Sequence, residues 1–396
     1  MSSWTRWELS IALLLAIALL LAWIHTRYWV RRLTLSLPYE SLEVLETDDG
    51  ARIELRRVPI PNGAAKAAQL PPMLLVHGVA ANHRNQDLHP DFSLARYLAA
   101  LGRDVFLVTL RSGLRGVPAS RMRIAAMAQH DVPLAIRTVL ARTASPSLDY
   151  VGFSMGGLLL YAALGRTVEP ASIRRVAIVG SPAQMKPTLP GSRLLARLPR
   201  LLIPRLPLRA GARALAFMSE WFSTPLHALV VNPRNVGVGI TRLALVNVIE
   251  DMPAGVNADF LAAMIHRDGA VVIDGEAITA RLGSLKIPAL FVAGAGDRLA
   301  PPSAVHHAFE LWGRDHPSTI KRFVILGRDY GACADYGHGD LAVGAEVGVE
   351  LFAPIARFLG PDEGQPAEPI DAEEGSDARE AIDERAAVAL PGRKTP

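Results

Sequence analysis

Six short runs of aliphatic and β-branched residues, set between stretches of helical periodicity, restrict the folds open to this chain more than any other feature. They are MLLVHG (73–78), DVFLVTL (104–110), LDYVGF (148–153), RRVAIVG (174–180), PALFVAG (288–294) and KRFVILG (321–327). The segments FSLARYLAALG, MRIAAMAQHDVPLAIRTVLART and MGGLLLYAALGR lie between them with apolar residues at helical spacing. A strand apolar on both faces belongs inside a parallel sheet whose two sides are covered by helices. Ahead of these runs, SLEVLET and ARIELRRVPI alternate around the DDG turn at Asp48–Gly50, the pattern of an antiparallel hairpin. The expected class is α/β with a mainly parallel sheet.

The rhythm breaks once. About 105 residues separate VAIVGSP from PALFVAG, too many for a loop inside a compact domain. Residues 183–287 are therefore expected to form a cap over the carboxyl ends of the strands. Its basic segment, 192–217, sets Arg193, Arg197, Arg200, Arg205, Arg209 and Arg213 among leucines and prolines. Two readings stay open: a solvated cap face with helices broken by proline, or a basic amphipathic patch resting on anionic lipid.

Both ends of the chain differ from its middle. Leu9 to Ile24 is a sixteen-residue run whose only polar member is Ser10, flanked by Trp4, Trp7, Trp23, Tyr28 and Trp29. With its flanks it reaches the roughly 20 residues needed to span a bilayer, with aromatic rings at both interfaces. Arg6 is offset by Glu8 and no small-x-small cleavage site follows, so an uncleaved single-pass anchor is expected rather than a signal peptide. Arg27, Arg31 and Arg32 follow the span, which places the main domain on the cytoplasmic face. Residues 361–396 hold ten Asp/Glu against four Lys/Arg and no aromatic residue, and are expected to be disordered. The resulting divisions are an anchor (1–32), a core in two parts (33–182 and 288–360), the cap (183–287) and the acidic tail (361–396).

The formal charge of +4 thus combines about +10 before the tail with −6 in it. That charge is spread over the chain without an aromatic-interleaved basic cluster, so no nucleic-acid partner is expected. The single cysteine, Cys333, rules out an intramolecular disulfide and a paired-cysteine zinc site, and no cofactor or metal is expected.

One stretch carries chemistry. In VGFSMGG, Ser154 sits in G-x-S-x-G where a strand run ends and a helical run begins, the setting of a nucleophile elbow. Gly152, Gly156 and Gly157 leave room for the helix to turn against the strand, and the amide of Met155 can donate to an oxyanion. A serine hydroxyl needs a histidine to take its proton and a carboxylate to orient that histidine. Both follow later strands, in the order Ser, Asp, His: Asp297 lies in PALFVAGAGDRLAPP and His338 in KRFVILGRDYGACADYGHGDL. His77–Gly78 closes the MLLVHG run, so the amide of Val79 can turn toward the same point as that of Met155, with His77 a structural residue of the loop.

On HGVAANHRNQD, SLARYLAALGRDVFLVTLRSGLRG, VGFSMGG, GAGDRLAPP and DYGHGDLAVG, the chain from about residue 40 to 360 resembles the serine α/β-hydrolases of the lipase/esterase type. The GHGDL ending and long cap are also similar to polyhydroxyalkanoate synthases and acid-lipase relatives, although the synthases carry cysteine at the elbow. The resemblance implies the α/β-hydrolase fold, with a mainly parallel eight-stranded sheet and a helical cap. It also implies Ser154 as nucleophile, Asp297 as acid, His338 as base, and Val79 with Met155 as the oxyanion hole. Two departures bear on the pocket: Phe153 stands where a histidine is common, and LRSGLRG lacks the usual LRGxG form. The expected activity is hydrolysis of carboxylic esters with apolar acyl groups at a membrane. The alternatives are acyl transfer by the same residues and a silent, membrane-attached binding module.

Overall fold

The computed structural model describes residues 3–61, 70–118, 121–185, 191–221, 229–266 and 269–361. The expected strands appear as β1 (Ser41–Glu46), β2 (Arg52–Arg57), β3 (Met73–Val76), β4 (Val105–Thr109), β5 (Leu148–Phe153) and β6 (Ile173–Val179). After a two-residue hairpin, β7 (Val272–Ile273) with β8 (Glu276–Ala277), come β9 (Ala289–Gly294) and β10 (Lys321–Leu326). Eight of them form one sheet in the order β1-β2-β4-β3-β5-β6-β9-β10. The β1/β2 and β2/β4 pairs are antiparallel and every other pair is parallel. The chain therefore has the α/β-hydrolase type of fold that its sequence suggests.

Strand geometry sends successive side chains to opposite faces, and the core divides accordingly. Leu74, Val76, Phe106, Val108, Tyr150, Ile178 and Phe291 join one buried cluster, and Met73, Leu75, Val105, Leu107, Val151 and Phe153 join the other. Helices Val132–Thr143, Met155–Ala163 and Pro302–Leu311 cover the first face; Leu94–Ala100 and Ala353–Phe358 cover the second. Pro133 lies inside a continuous helical run from Ile124 to Thr143, directly after a π-helical stretch at Met127–Asp131 whose wider turn accommodates a ring that cannot donate an N–H. Arg111, fully buried after β4, pairs with Asp131 at 2.6 Å and Asp49 at 2.5 Å. The arginine of the LRSGLRG stretch therefore ties the β1–β2 turn to the sheet.

Among the described residues, the interval 183–287 contributes helices Leu208–Leu215, Ile240–Asn247 and Ala254–Ile265, and no strand to the main sheet. Val271, Ile273, Ile278, Leu282, Leu285 and Ile287 of its last part are buried in the larger core, as are Val256, Phe260 and Ala263 of helix Ala254–Ile265.

Helix α1 runs from Ser3 to Leu33, and Trp7–Leu33 within it is the one helix among the described residues long and apolar enough to cross a membrane. Its last turns pack Trp29, Val30 and Leu33 against Ala216 and Val246 of the insertion. The His25 and Phe217 rings meet edge-on at 4.5 Å. The acidic tail beyond residue 361 lies outside the described residues.

Candidate active site

Ser154 joins β5 to helix Met155–Ala163 with φ +52° and ψ −114°, a conformation a residue with a side chain rarely adopts. The strain is held by packing on every side. Ser154 N–H donates to the Val179 carbonyl at 2.8 Å, and the Ser154 carbonyl accepts Gly157 N–H at 3.0 Å. A Cβ on Gly152 would lie 2.7 Å from the Gly157 nitrogen, and one on Gly156 would strike the Val76 carbonyl. The glycines flanking Ser154 thus permit the close crossing of strand and helix that turns its hydroxyl outward.

The structure brings three residues together across long stretches of chain. His338 Nε2 lies 2.9 Å from Ser154 Oγ, and His338 Nδ1 lies 2.7 Å from Asp297 Oδ2. Asp297 Oδ1 accepts the amides of Leu299 and Ala300, both at 2.8 Å, which holds the carboxylate against rotation. An ionised carboxylate only accepts hydrogen bonds, so the Nδ1 proton points at Asp297 and Nε2 is left to accept the serine proton. All three side chains are largely buried. Burial opposes a charge on His338, but the Asp297 charge and hydrogen bond, aided by Asp340, outweigh it and raise its pKa above the usual imidazole value.

The loop after β3 lies against this group. A Cβ on Gly78 would sit 3.2 Å from Ser154 Cβ, so the Gly78–Val79 backbone passes directly beside the serine. Gly78 N–H donates to Asn85 Oδ1 at 3.1 Å. Met155 opens its helix, and the amide of a first helical residue has no carbonyl four residues back to bind. His77 is a different kind of histidine. Its Nδ1 faces the Gly78 carbonyl at 2.7 Å while Nε2 accepts Leu110 N–H at 3.0 Å. That pair of bonds fits only the neutral ring, and burial lowers its pKa to about 4, against the opposing pull of the Gly78 carbonyl.

Sequence reasoning passed over Asp340. Fully buried two residues past His338, it accepts Gly337 N–H at 3.0 Å, Asn232 N–H at 2.9 Å and Asn235 Nδ2 at 3.3 Å. Gly339 N–H also donates to the Val230 carbonyl, and Ala345 N–H to that of Asn235. A strap from the insertion, residues 230–235, is thereby laced to the histidine loop. The acidic residue in GHGDL was its only sequence signal, and nothing local distinguished it from a helix cap. Phe153 takes part as well, its ring 5.4 Å from that of His338.

Comparison with known proteins agrees with this architecture. Residues 71–326 match the family model described as alpha/beta hydrolase fold. The chain is 32% identical over 146 residues to lipase member K of Homo sapiens, covering 34% of this chain and 36% of that protein. It is 30% identical over 151 residues to the human gastric triacylglycerol lipase, covering 35% and 37% respectively. The chain thus spans little more than a third of either relative's length. Among solved structures, a hydrolase from Pseudomonas aeruginosa PA01 superposes with TM-score 0.52 at 19% identity, over 81% of this chain and 99% of that one. An esterase from Rhodococcus sp. ECU1013 gives 0.50 at 19% identity, over 81% and 98%. At such identity the two structures speak for the fold.

Proposed function

The chain belongs to the alpha/beta hydrolase fold family, and from that premise we propose that it is a serine hydrolase cleaving carboxylic esters of apolar acyl groups. The observation that carries this reading is the pair of contacts at His338: 2.9 Å to a strained serine and 2.7 Å to a braced carboxylate. Ser154 Oγ attacks the acyl carbonyl as its proton passes to His338 Nε2, and Asp297 stabilises the imidazolium. The carbonyl oxygen gains the charge and receives hydrogen bonds from the Val79 and Met155 amides. Collapse expels the alkoxide, which takes the proton back from His338 and leaves as the alcohol. Water, deprotonated by His338, then attacks the acyl-serine, and the acid departs as Ser154 regains its proton. The names of the lipase relatives support an apolar, lipid-like acyl group.

In this reading α1 holds the enzyme at a membrane as a single pass, and Arg27, Arg31 and Arg32 keep the main domain on the cytoplasmic side. The basic segment of the insertion adds a weaker contact. Arg200 pairs with Asp259, Arg205 with Asp251 and Arg209 with Glu250. Arg193 and Arg197 are exposed among Leu194, Leu195 and Leu198, where they can meet anionic headgroups.

A fluorophosphonate probe on the full chain, with Ser154→Ala and His338→Ala beside it, tests the chemistry. Labelling of the wild type, lost in both variants together with at least about 10³-fold of esterase rate, is the expected result. A folded wild type that neither labels nor hydrolyses p-nitrophenyl esters would overturn it in favour of a binding module. Ester product formed in preference to acid when an alcohol is added would make the reaction acyl transfer.

A further inference from the structure

The loop that carries Val79 is fastened at one knot to two segments far away in the chain. Ala80 adopts φ +51°, in the left-handed region, and its carbonyl accepts Glu250 N–H at 2.8 Å. Ala81 forms a β-bridge with Ile249. Asn82 Oδ1 accepts Arg84 N–H at 2.9 Å, while its Nδ2 donates to the Asn247 carbonyl at 3.0 Å and to Glu250 Oε1 at 3.1 Å. The residues that hold this loop in its unusual backbone shape therefore come from 247–250 of the insertion.

Asn247 closes the knot on its other side. It ends helix Ile240–Asn247, and its side chain meets the backbone where α1 finishes. Oδ1 accepts Leu35 N–H at 2.9 Å, and Nδ2 donates to the Leu33 carbonyl at 2.9 Å and the Leu243 carbonyl at 2.8 Å. Arg84 Nη2 donates to the Leu35 carbonyl at 2.8 Å, so the peptide groups flanking Leu35 are held by both partners. A carboxamide offers acceptor and donor atoms on one short planar group, and no other side chain of this size can make this set of bonds. Ala81, Leu88 and Val248 bury a small apolar cluster on the same junction, with Leu35 and Leu243 packed against it.

We infer that Asn247 is a positioning residue for the loop bearing Val79, and that through it the exit of the N-terminal helix is coupled to the oxyanion site. The inference rests on the serine-hydrolase reading above. Asn247 touches no reacting atom. Its removal strips partners from Leu35 N–H and the Leu33 carbonyl, and frees the 247–250 backbone on which Ala80 and Asn82 depend. Small misplacements of groups that stabilise a transition state lower kcat more than they lower substrate affinity.

The test uses the full chain in detergent, with p-nitrophenyl butyrate as substrate. Active sites are counted by complete fluorophosphonate titration, so that rates are expressed per folded site. Asn247→Ala and Asn82→Ala should each lower kcat roughly 10-fold and leave KM within about 2-fold, and the double variant should be no slower than the worse single, because both loosen one knot. Wild-type kcat per site in Asn247→Ala, with only a lower melting temperature, would overturn the inference, as would losses that multiply in the double variant. If Asn247→Ala yields no titratable sites, Asn247→Asp replaces it, retaining the acceptor for Leu35 N–H and losing both donors; wild-type kcat there would be equally fatal. A wild type that neither titrates nor hydrolyses removes the underlying reading, and this inference falls with it.

Discussion

The eight-stranded sheet and the interval 183–287 hide their apolar side chains in different ways. Every residue of β3, β4, β5 and β9 is buried, and the two faces of the sheet each carry one large cluster. In the insertion, helix Leu208–Leu215 buries none of its residues and helix Ile240–Asn247 buries only Val246. Leu194, Leu202 and Trp221 stand in the open there, each more than 60% exposed. Ser154, Asp297 and His338 all follow strands of the first region. Those three residues thus stand on the densely packed part, while helices Leu208–Leu215 and Ile240–Asn247 of the insertion are lightly packed, unlike helix Ala254–Ile265, which buries five residues. Segments with few buried contacts open at lower free energy than a core does. The strap 230–235 and Asn247 are two of the places where the second region reaches the first, beside the packing of Val256, Phe260 and Ala263 in the larger core.

Truncation gives the largest contrast. Phe291→Ala, in the centre of β9, should cost about 3–5 kcal/mol in denaturant unfolding, whereas Leu215→Ala, 47% exposed, should cost about 0.5 kcal/mol or less. Similar losses would break the distinction between the regions. Next, a single change of opposite sign sharpens it. Gly156→Ala forces a methyl onto the Val76 carbonyl and should destabilise by about 1–3 kcal/mol or more. Gly211→Ala, with nothing within 4 Å of the new Cβ, should stabilise its helix by up to about 1 kcal/mol. The subtlest test is pH. In the proposed mechanism His338 acts as base only when neutral, and its pKa is raised, so kcat/KM should fall as pH drops through a midpoint above the ordinary imidazole value. Asp297→Asn should move that midpoint down as well as slow the reaction; an unmoved limb would separate Asp297 from the titrating group.

Much of the frame was legible because its signals are local. Each strand of the main sheet falls within three residues of the run that announced it, since apolar content over a few positions is what a buried strand requires. Ser154 was marked by the glycines its backbone turn demands, and Asp297 and His338 by their places after later strands. The insertion was legible only as a break in rhythm. Its arginines read alike although three of them are consumed by Asp259, Asp251 and Glu250.

Local chemistry in the sequence determined the strands, the helices, the apolar N-terminal segment and which side chains can exchange protons. Tertiary structure alone decided how closely His338 would meet Ser154, that Asp340 would lace a strap to the histidine loop, and that Asn247 would join residues 33–35 to the loop beside Val79. These are pairings over 108 to 212 residues. A hydrogen bond across such a distance depends on how whole layers pack, and no window of sequence holds both of its partners.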